Sequence, residues 1–572
     1  MRWLDWIVLV VAVVFIVVYG VWKGRGSKDL KGYLLSDRNM GWATIALSIM
    51  ATQASAITFL STPGQAYADG MRFVQFYFGL PIAAVILSIT AVPLYHRLRV
   101  YTAYEYLEGR FDVKTRSLAA LLFLVQRGLA AGLTIFAPAL VLSVILGWDL
   151  TATNVAVGVL VIVYTAAGGT RAVSWTQGYQ MVIIMGGMFL AFLIILWRLP
   201  EGVGLIDATR VAGTLGRMNA IDFRFDLDNR YNIWSGIIAG CFLQLSYFGT
   251  DQSQVARYLT GRSVTQSRMG LLVNGLVKVP MQFFILFVGA MVFVFYQFTA
   301  PPIFFNPVEV DGVRLSAHAE RFAALEDDYR SAFGERLAQV EELVAASSGG
   351  NPARQAAAEA ELRQADARMA AIREDAVAVL RANNPGMASD TNYVFLSFVV
   401  GYLPVGVVGL LIAAILFASM SSTASELNAL ASTSVVDLYR RLFRGRASEA
   451  HYVVASKAAT VVWGLVAIGF AELFRGHQTL VEAVNIVGSL FYGTILGIFL
   501  AAFYARRLGG AAVFVGAVTA ELVVLAFHLL TVLGYFDLAY LWYNVIGCTL
   551  VLAVAFLVQP FLGGAPARRP PA

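Results

Sequence analysis

Cysteine, histidine and charged side chains are all scarce in this chain, which has two cysteines, five histidines and 14% charged residues among 572. Cys241 and Cys548 lie within long apolar runs, so the sequence carries neither a disulfide framework nor the cysteine spacing of a zinc site. A glycine-rich phosphate-binding loop is also missing, which argues against a pump driven by ATP hydrolysis. No continuous basic face occurs, so nucleic acid is not an expected partner.

Long apolar runs are what the chain has in abundance, since 58% of its residues are hydrophobic. A helix needs about 20 mostly apolar residues to cross the hydrocarbon core of a bilayer. We predict about thirteen such helices, at 4–22, 42–67, 73–95, 117–146, 151–167, 175–198, 231–251, 268–298, 391–421, 452–474, 479–503, 511–534 and 541–559. The chain is therefore predicted to be an all-α polytopic membrane protein whose surroundings are the lipid bilayer.

The distribution of arginine between the loops predicts the orientation of the chain. If residue 1 is outside, the loops on the inside hold Arg97, Arg99, Arg257, Arg262, Arg440, Arg441, Arg444, Arg446, Arg506 and Arg507. The short loops on the opposite side hold only Arg72 and Arg475. Because cytoplasmic loops are enriched in positive charge, we predict an extracytoplasmic amino terminus and a cytoplasmic carboxyl terminus in the plasma or inner membrane.

The order of the spans predicts an internal symmetry. The five spans that begin with 42–67 start inside, whereas the five that begin with 231–251 start outside, which is the arrangement of an inverted repeat. The predicted divisions are 1–41 (an extra amino-terminal helix and a cytoplasmic linker), 42–198 (the first repeat), 199–230 (an extracytoplasmic loop), 231–503 (the second repeat) and 504–572 (two further helices and a short tail).

Residues 301–390 interrupt the second repeat with a polar segment that is rich in Ala, Arg and Glu and contains no Lys. Two stretches of helical periodicity flank the turn-forming sequence SSGGNP. We predict two antiparallel helices on the extracytoplasmic side. Two roles stay open for this hairpin: an insertion without transport chemistry, or a docking platform for an extracytoplasmic partner.

The run Phe417–Asn428 places a cluster of small hydroxyl residues inside an apolar segment. Unpaired polar groups are costly in hydrocarbon, so the cluster must face protein, water or an ion. On a locally opened helix, the Ala418 carbonyl and the Ser421 and Ser422 hydroxyls would offer oxygen ligands to one hard, weakly charged cation. The alternative is that these small residues only allow two helices to pack closely.

The first helix of each predicted repeat carries polar residues in its middle. The first reads SIMATQASAITFLSTPG, with Gln53, Ser55 and Thr58 among apolar neighbours, and the second reads QLSYFGTDQ, with Gln244 and Tyr247. Transporters built from inverted repeats bind substrate and ions at interrupted helices near the middle of the membrane. These five residues are therefore candidates for a substrate site.

Several motifs resemble those of the sodium:solute symporter family. They are KDLKGYLLSDRNMGW after the first span, YTAYEYLEGRF after the third, TDQSQVARYLTGRS after the seventh and FASMSSTASELNALASTSVVDLYRR from the ninth onward. The resemblance covers almost everything except 301–390 and the last few residues. It implies a leucine-transporter-type fold, a five-helix inverted repeat with one extra amino-terminal helix. It also implies a secondary active symporter, not an enzyme, with Na+ as the coupling ion and no organic cofactor.

The resemblance also implies a set of sodium ligands. The main sodium site of the family takes two carbonyls from the first core helix, and one carbonyl and two hydroxyls from the eighth. The positions that match are Ala51, Ala54, Ala418, Ser421 and Ser422. Five neutral oxygens suit a hard monovalent ion, which agrees with the reading of the hydroxyl cluster.

One departure from the family concerns Gln177, which stands in WTQ where many relatives have an acid in WTD. That acid assists sodium release and, in some members, helps to form a second sodium site. Gln177 stays a candidate for ion release or coupling, but it adds no charge, so we expect one Na+ per cycle. A compensating carboxylate elsewhere, such as Glu426, would reverse this expectation. Proton coupling is an alternative that the Ser421/Ser422 pair and Gln177 disfavour.

The candidate substrate residues resemble the monocarboxylate, multivitamin and iodide branch of the family more than its sugar branch. Sugar carriers have Asn, Glu and Gln where this chain has Gln53, Ile57 and Thr58, so a carboxylate that grips sugar hydroxyls is missing. Tyr247 matches an aromatic residue that closes the pocket from the inside, and Gln244 matches a pocket amide. We expect import of a small organic anion, with short monocarboxylates as the first candidates.

Two basic residues lie deep within predicted spans. Lys278 matches a lysine that contacts substrate in a sugar carrier, which makes it a substrate-binding candidate, and its alternative is a snorkelling or paired cation. Arg127 either meets a substrate carboxylate or pairs with a helix-end acid and the adjacent Gln126 amide, and the pairing is our prediction.

Two functional alternatives stay open. A sodium symporter of this kind could carry a neutral solute such as a sugar or an amino acid, and a symporter-like membrane domain could serve as a sensor or scaffold. The sequence GGAPARRPPA at the carboxyl end is too short for an output module, which favours transport.

Overall fold

The computed structural model describes residues 2–24, 32, 34, 38–349, 351–387, 389–443, 445–473 and 479–562. Most of the predicted linker at 25–37, the loop residues Arg444 and Arg475 and the tail 563–572 lie outside these residues. The regular elements of the described chain are 21 α-helices with a few short 3-10 and π segments, which confirms the all-α prediction.

The helices follow one another with short connections. The part before the polar segment contains α1 (Trp3–Gly24), α2 (Trp42–Gln53), α3 (Ala56–Asp69), α4 (Gly79–Ile89), α5 (Ala91–Leu98), α6 (Glu105–Arg110), α7 (Val113–Leu146), α8 (Leu150–Trp197), α9 (Leu205–Thr214), α10 (Gly240–Gly249), α11 (Gln252–Leu259) and α12 (Val264–Phe298). The rest contains α13 (Pro307–Arg314), α14 (Ala319–Ser348), α15 (Pro352–Asn383), α16 (Thr391–Tyr402), α17 (Val407–Thr433), α18 (Glu449–Leu473), α19 (Leu480–Tyr504), α20 (Gly510–Val532) and α21 (Trp542–Val558).

Ten of the thirteen predicted spans correspond to candidate spans of the described chain. Among the described residues, nine helical stretches are long and apolar enough to cross a membrane, and the bent pair α2–α3 makes a tenth span. Three shorter apolar helices, Trp3–Tyr19, Leu150–Ala166 and Ser235–Gly249, account for the remaining predicted spans. The division of these spans into repeats at 42–198 and 231–503 stays a prediction.

The ninth predicted span, 391–421, was expected to be one helix and is two. The helix α16 ends at Tyr402 and α17 begins at Val407. Pro404 has no backbone N–H to continue the helix, and Gly406 adopts a left-handed conformation with φ of 89°. Asp5 of α1 then accepts hydrogen bonds from the backbone N–H groups of Gly406 at 2.6 Å and Gly409 at 3.2 Å, which satisfies the first turn of α17.

The helix α17 lies at the centre of the bundle, in contact with α1, α2, α3, α7, α8, α11 and α18. Its residues are buried almost along its whole length. Peripheral helices expose apolar faces instead, as Val11 of α1, Val462 of α18 and Leu522 of α20 illustrate. Polar side chains on α17 must therefore find their partners inside the protein, whereas the outer helices are suited to contact lipid.

The polar segment 301–390 contains the predicted pair of antiparallel helices, α14 and α15. Arg336 of α14 donates to the Tyr296 carbonyl at the end of α12 at 2.9 Å. Arg373 of α15 donates to both carboxylate oxygens of Asp390 at 2.7 Å, immediately before α16. The hairpin is thus bonded at two places to the ends of bundle helices.

Candidate ion and substrate site

The break between α2 and α3 bends the two helices by 61° relative to each other. At the break the Ser55 N–H donates to the Gln53 carbonyl at 3.2 Å, and the Thr58 N–H donates to the Ser55 carbonyl at 2.9 Å. In a continuous helix these donors would reach Ala51 and Ala54, four residues earlier. The Ala51 and Ala54 carbonyls are therefore released from the helical pattern, and both residues are fully buried.

Two hydroxyls of α17 meet backbone carbonyls at this level. The Ser421 Oγ donates to the Ala51 carbonyl across the helix interface at 3.1 Å. The Ser422 Oγ donates to the Ala418 carbonyl within its own helix at 2.9 Å. Four of the five predicted sodium ligands are thus joined in two hydroxyl–carbonyl pairs. The fifth, Ala54, is the residue that follows α2 at the break.

The amide of Gln177 lies beside these pairs and connects three helices. Its Nε2 donates to the Ser425 Oγ at 2.9 Å, to the Thr52 Oγ1 at 3.2 Å and to the Ser421 carbonyl at 3.3 Å. Its Oε1 accepts from the Ser48 Oγ at 2.5 Å. Gln177 is completely buried, so a neutral side chain of α8 ties α2 to α17 next to the carbonyl–hydroxyl pairs.

A cavity of about 90 Å³ opens against the helix break. It is lined by Thr52, Gln53, Ser55, Ile57, Thr58, Phe76, Tyr77, Gln126, Arg127, Thr134, Leu243, Gln244, Tyr247, Ser422, Glu426, Val481, Val484, Asn485, Gly488 and Tyr492. The structure therefore brings together five of the six predicted substrate residues and one predicted sodium ligand, Ser422, around one cavity.

The wall of this cavity combines apolar surface with polar atoms that lack partners. Within the described part of the chain, Gln53 Oε1 and both amide atoms of Gln244 are buried without a hydrogen-bond partner. Buried polar groups are normally paired, so these amides are free to bond to a solute. Ile57 and Val484 are among the residues that form the apolar part of the wall.

The sixth predicted substrate residue, Lys278, does not line this cavity. Its side chain is fully buried on α12, and its Nζ lies 5.4 Å from the centre of the Tyr77 ring. Tyr77 itself lines the cavity. Lys278 therefore contacts the ring of a cavity residue, and its Nζ has no hydrogen-bond partner among the residues that the structure describes.

Arg127 forms a buried cluster with two carboxylates. Its guanidinium donates to Glu426 Oε1 at 3.0 Å and to Asp251 Oδ2, and it also bonds to the Tyr492 hydroxyl. Asp251 caps the amino end of α11, so Arg127 pairs with a helix-end acid as predicted, whereas the adjacent Gln126 amide bonds to the Tyr492 hydroxyl and not to Arg127 as expected. Thr134 donates to the other Glu426 oxygen at 2.8 Å. The sequence signal for this cluster was the depth of Arg127 within an apolar span.

A second cavity, of about 370 Å³, lies between the carboxyl end of α3 and the start of α16. Among its lining residues are Arg230 and Glu482, which form an ion pair, and Arg373 and Asp390, which form another. Glu482 lies in the first turn of α19, and the next turns of that helix line the central cavity. The hairpin contributes Arg373 to this cavity, which the sequence did not reveal.

A bent helix pair, a central buried helix with hydroxyl–carbonyl pairs and an amphipathic cavity between the helices are the features expected of a multi-pass membrane transporter. The sequence model of the sodium:solute symporter family matches residues 33–321 and 376–523, and the chain belongs to that family. The stretch between the matched ranges, 322–375, falls within α14 and α15.

Curated relatives resemble part of the chain. The sodium-coupled monocarboxylate transporter 1 of Xenopus laevis is 35% identical over 257 residues, which cover 45% of this chain and 41% of that protein. The human sodium/iodide cotransporter is 32% identical over 262 residues, which cover 45% of this chain and 40% of that protein. The chain thus spans about two fifths of the length of the curated relatives it matches.

A solved structure resembles the whole chain. It is a Na+-coupled sialic acid symporter in a substrate-bound outward-open state with a novel Na+-site, and it superimposes with a TM-score of 0.74 at 22% sequence identity. The superposition covers 99% of both chains. This likeness establishes the leucine-transporter-type fold.

Proposed function

We propose that this protein is a sodium-coupled symporter that imports a small organic solute, a monocarboxylate-like anion, by alternating access. The observation that carries the proposal is the pair of hydroxyl–carbonyl contacts at 3.1 Å and 2.9 Å, beside a cavity with free amide groups. The similarity to a sodium-coupled monocarboxylate transporter adds support for both the ion and the class of solute.

The proposed sodium ligands are the carbonyls of Ala51, Ala54 and Ala418 and the hydroxyls of Ser421 and Ser422. Each serine hydroxyl can rotate its proton away and turn a lone pair toward an ion, which frees the carbonyl it now bonds. A hard cation such as Na+ prefers oxygen ligands. Because the ligands belong to α2 and α17, a bound Na+ would hold these helices together, and its release would loosen them.

Coupling then follows from the position of the ion next to the solute. In our proposal Na+ binding stabilises an outward-open state, solute enters the cavity, and the ion pairs of the second cavity close behind it. Low sodium inside empties the site and releases α2 from α17. Gln177, which bonds to both helices, would serve as the positioning residue for this release.

The solute class is proposed from the cavity wall. The Nε2 of Gln244 and the hydroxyls of Ser55 and Thr58 can donate to a carboxylate, while Ile57 and Val484 offer apolar contact to a short carbon chain. We also propose that the amino terminus is extracytoplasmic and the carboxyl terminus cytoplasmic, from the arginine distribution in the loops.

A second candidate is sodium symport of a neutral solute. It is favoured by the bonds of Arg127, whose guanidinium is already shared between Asp251 and Glu426. Because Arg127 is paired with two carboxylates, it attracts an anion in the cavity less strongly than a free guanidinium would.

The test is uptake into proteoliposomes with an inward sodium gradient, in competition with unlabelled monocarboxylates, sugars, amino acids and iodide. Inhibition by short monocarboxylates is the expected result. Inhibition by sugars or amino acids alone would support the neutral-solute candidate, and uptake that a proton gradient drives equally well without sodium would refute sodium coupling.

A further inference from the structure

The second cavity lies next to the central cavity along two helices that line both. On α3 the central cavity is lined by Ile57 and Thr58, and the second cavity by Gln65 and Tyr67. Seven residues of α-helix span about 10 Å, so the two cavities are about two helical turns apart. On α19 Glu482 lines the second cavity, and neighbouring residues of the same helix line the central one. A solute that enters from this side therefore passes the second cavity first.

The charges on the wall of the second cavity are not all paired. Its charged residues are Asp69, Arg217, Arg230, Arg373, Asp390 and Glu482. Arg230 pairs with Glu482, and Arg373 pairs with Asp390. Within the described chain, Arg217 and Asp69 belong to no ion pair. One guanidinium and one carboxylate are therefore left over.

Arg217 and Asp69 differ in how well water compensates their charges. Asp69 is exposed and accepts a hydrogen bond from the Gln65 amide. Arg217 is half-buried, and its Nε is buried without a hydrogen-bond partner among the described residues. This burial lowers the pKa of Arg217, because it separates the charged guanidinium from water. A charge that is removed from water needs a counter-charge, so Arg217 is the group that an anion would stabilise.

The carboxylates around Arg217 do not supply this counter-charge. Asp366 of α15 and Asp69 attract Arg217, but only from beyond ion-pair distance. Asp366 is itself bonded to Arg336 at 3.2 Å. Arg72 repels Arg217 and so opposes the two carboxylates. The guanidinium of Arg217 is thus left to bind an anion from solution.

The end of α9 holds Arg217 in a fixed place. Gly216 adopts a left-handed conformation with φ of 75°. The Arg217 N–H donates to the Ala212 carbonyl at 2.7 Å, and the Gly216 N–H donates to the Gly213 carbonyl at 3.0 Å, which is the bonding of a Schellman motif. The guanidinium carbon lies 4.6 Å from the centre of the Phe293 ring, a cation–π contact. Because Arg217 is already ordered, a ligand does not have to order it.

The surroundings of Arg217 suit a small carboxylate. A guanidinium can donate two parallel hydrogen bonds to a carboxylate. Thr479 lines the cavity, and its hydroxyl is buried without a partner in the part of the chain that the structure describes. Tyr67 lines the same cavity and offers a second hydroxyl. A water molecule takes up about 30 Å³, so a volume of about 370 Å³ admits a short monocarboxylate together with water.

We propose that Arg217 forms an entry site in the second cavity, where the carboxylate of the solute binds before the solute moves to the central cavity. This inference rests on the proposed import of a monocarboxylate. Arg127 of the central cavity is already paired with two carboxylates, so the entry site supplies the attraction for an anion one step earlier. The hairpin contributes Arg373 to the wall of the same cavity.

The test measures sodium-driven uptake of radioactive pyruvate by the full-length protein in proteoliposomes. Arg217→Gln is expected to raise the half-saturating pyruvate concentration about three- to tenfold, because it removes a charge-assisted hydrogen bond from a cavity that water reaches. The maximal rate should change little, since the central cavity is intact. Arg217→Lys keeps the positive charge and should lie between Arg217→Gln and wild type. The control is Arg210→Gln, because Arg210 lies on α9 but does not line the second cavity. This control should behave like wild type.

Ionic strength separates the attraction of an anion from a structural role of Arg217. Choline methanesulfonate added at constant sodium should raise the half-saturating pyruvate concentration of wild type, since salt screens a charge that water reaches. The same addition should have little effect on Arg217→Gln. Choline chloride should act like choline methanesulfonate. A stronger effect of chloride in wild type alone would mean that an inorganic anion occupies the site, and would overturn the entry site for the solute.

Two further results would count against the entry site. An unchanged half-saturating pyruvate concentration in both Arg217→Gln and Arg217→Lys would overturn it and leave the proposed function standing. Equal losses in both variants, with earlier thermal unfolding and the ionic-strength dependence of wild type, would mean that Arg217 only holds the end of α9 in place. No sodium-driven uptake of any monocarboxylate by wild type would overturn the proposed function, and the entry site with it.

Discussion

The hydroxyl of Ser421 donates to the carbonyl of Ala51 at 3.1 Å, although the two residues are 370 positions apart and lie on different helices. This contact joins the end of the broken helix α2 to the centre of the buried helix α17. An ion bound by the Ser421 hydroxyl oxygen and the Ala51 carbonyl at this point would contact both helices at once. Tests of ion binding should therefore target the hydroxyls of α17 first.

Replacing Ser422 with Ala should weaken sodium activation strongly. The change removes one of five proposed ligands, and a hydrogen-bonding group contributes about 1.5–3 kcal/mol to its interaction with a charge. The half-saturating Na+ concentration should therefore rise about 10- to 100-fold. Uptake measured at increasing sodium concentrations gives this half-saturating concentration. Ser432→Ala is the matched control, because Ser432 lies on the same helix and bonds to its own helix at Ala429. An unchanged half-saturation in Ser422→Ala would remove Ser422 from the site.

Replacing Gln177 with Leu should lower both stability and sodium affinity. Leu cannot bond to Ser48, Thr52 or Ser425, and leaving such buried groups unpaired costs about 1–3 kcal/mol each. Thermal unfolding in detergent and sodium-dependent uptake measure the two effects. A variant that unfolds earlier but retains the wild-type sodium dependence would show that Gln177 only holds α2, α8 and α17 together.

Gly64 should not tolerate a side chain. A methyl group on Gly64 of α3 would lie 1.9 Å from the Thr391 carbonyl oxygen at the start of α16, so α3 would have to move. Overpacking of this kind costs about 1–3 kcal/mol, and we expect Gly64→Ala to reduce uptake as well as stability. Gly186→Ala on α8 is the control, since no atom lies within 4 Å of the added carbon. Equal behaviour of the two variants would refute the close contact.

The hairpin α14–α15 should matter for transport through Arg373. The change Arg373→Ala leaves the buried carboxylate of Asp390 without its guanidinium, next to α16 and the second cavity, at a cost of about 1–3 kcal/mol. Uptake should fall. Arg354→Ala breaks the ion pair with Glu342 on the exposed part of the hairpin, where solvent screens the pair and little effect is expected. If both variants transport like wild type, the hairpin is an insertion without a role in transport.

The spans could be predicted because an apolar run consists of residues that are neighbours in the sequence. The hydroxyl cluster at Ser421 and Ser422 could be found because its residues are also neighbours in the sequence. The break before Val407 was missed although Pro404 and Gly406 were visible, because the apolar run continues across them. Partners of Arg127 come from positions 124 and 299 residues away, and no local pattern encodes them. The position of Lys278 against Tyr77 likewise depends on how α12 packs.

Transport of a monocarboxylate with one Na+ should be electroneutral. With one Na+ per anion no net charge moves, and a tenfold sodium gradient accumulates the solute about tenfold. With two Na+ per anion one positive charge moves inward, so 100 mV adds about 2.3 kcal/mol. Together with two sodium ions this permits accumulation of several thousand-fold, on the order of 10³–10⁴.

The measurement is the reversal potential of proteoliposomes that contain a short monocarboxylate, at several sodium ratios. Wild type should take up the anion with sodium dependence and give little current, because one Na+ balances one anion. A sodium-dependent inward current whose reversal potential shifts as expected for two Na+ and one anion would contradict this expectation, and would show that Gln177 does not exclude a second sodium ion.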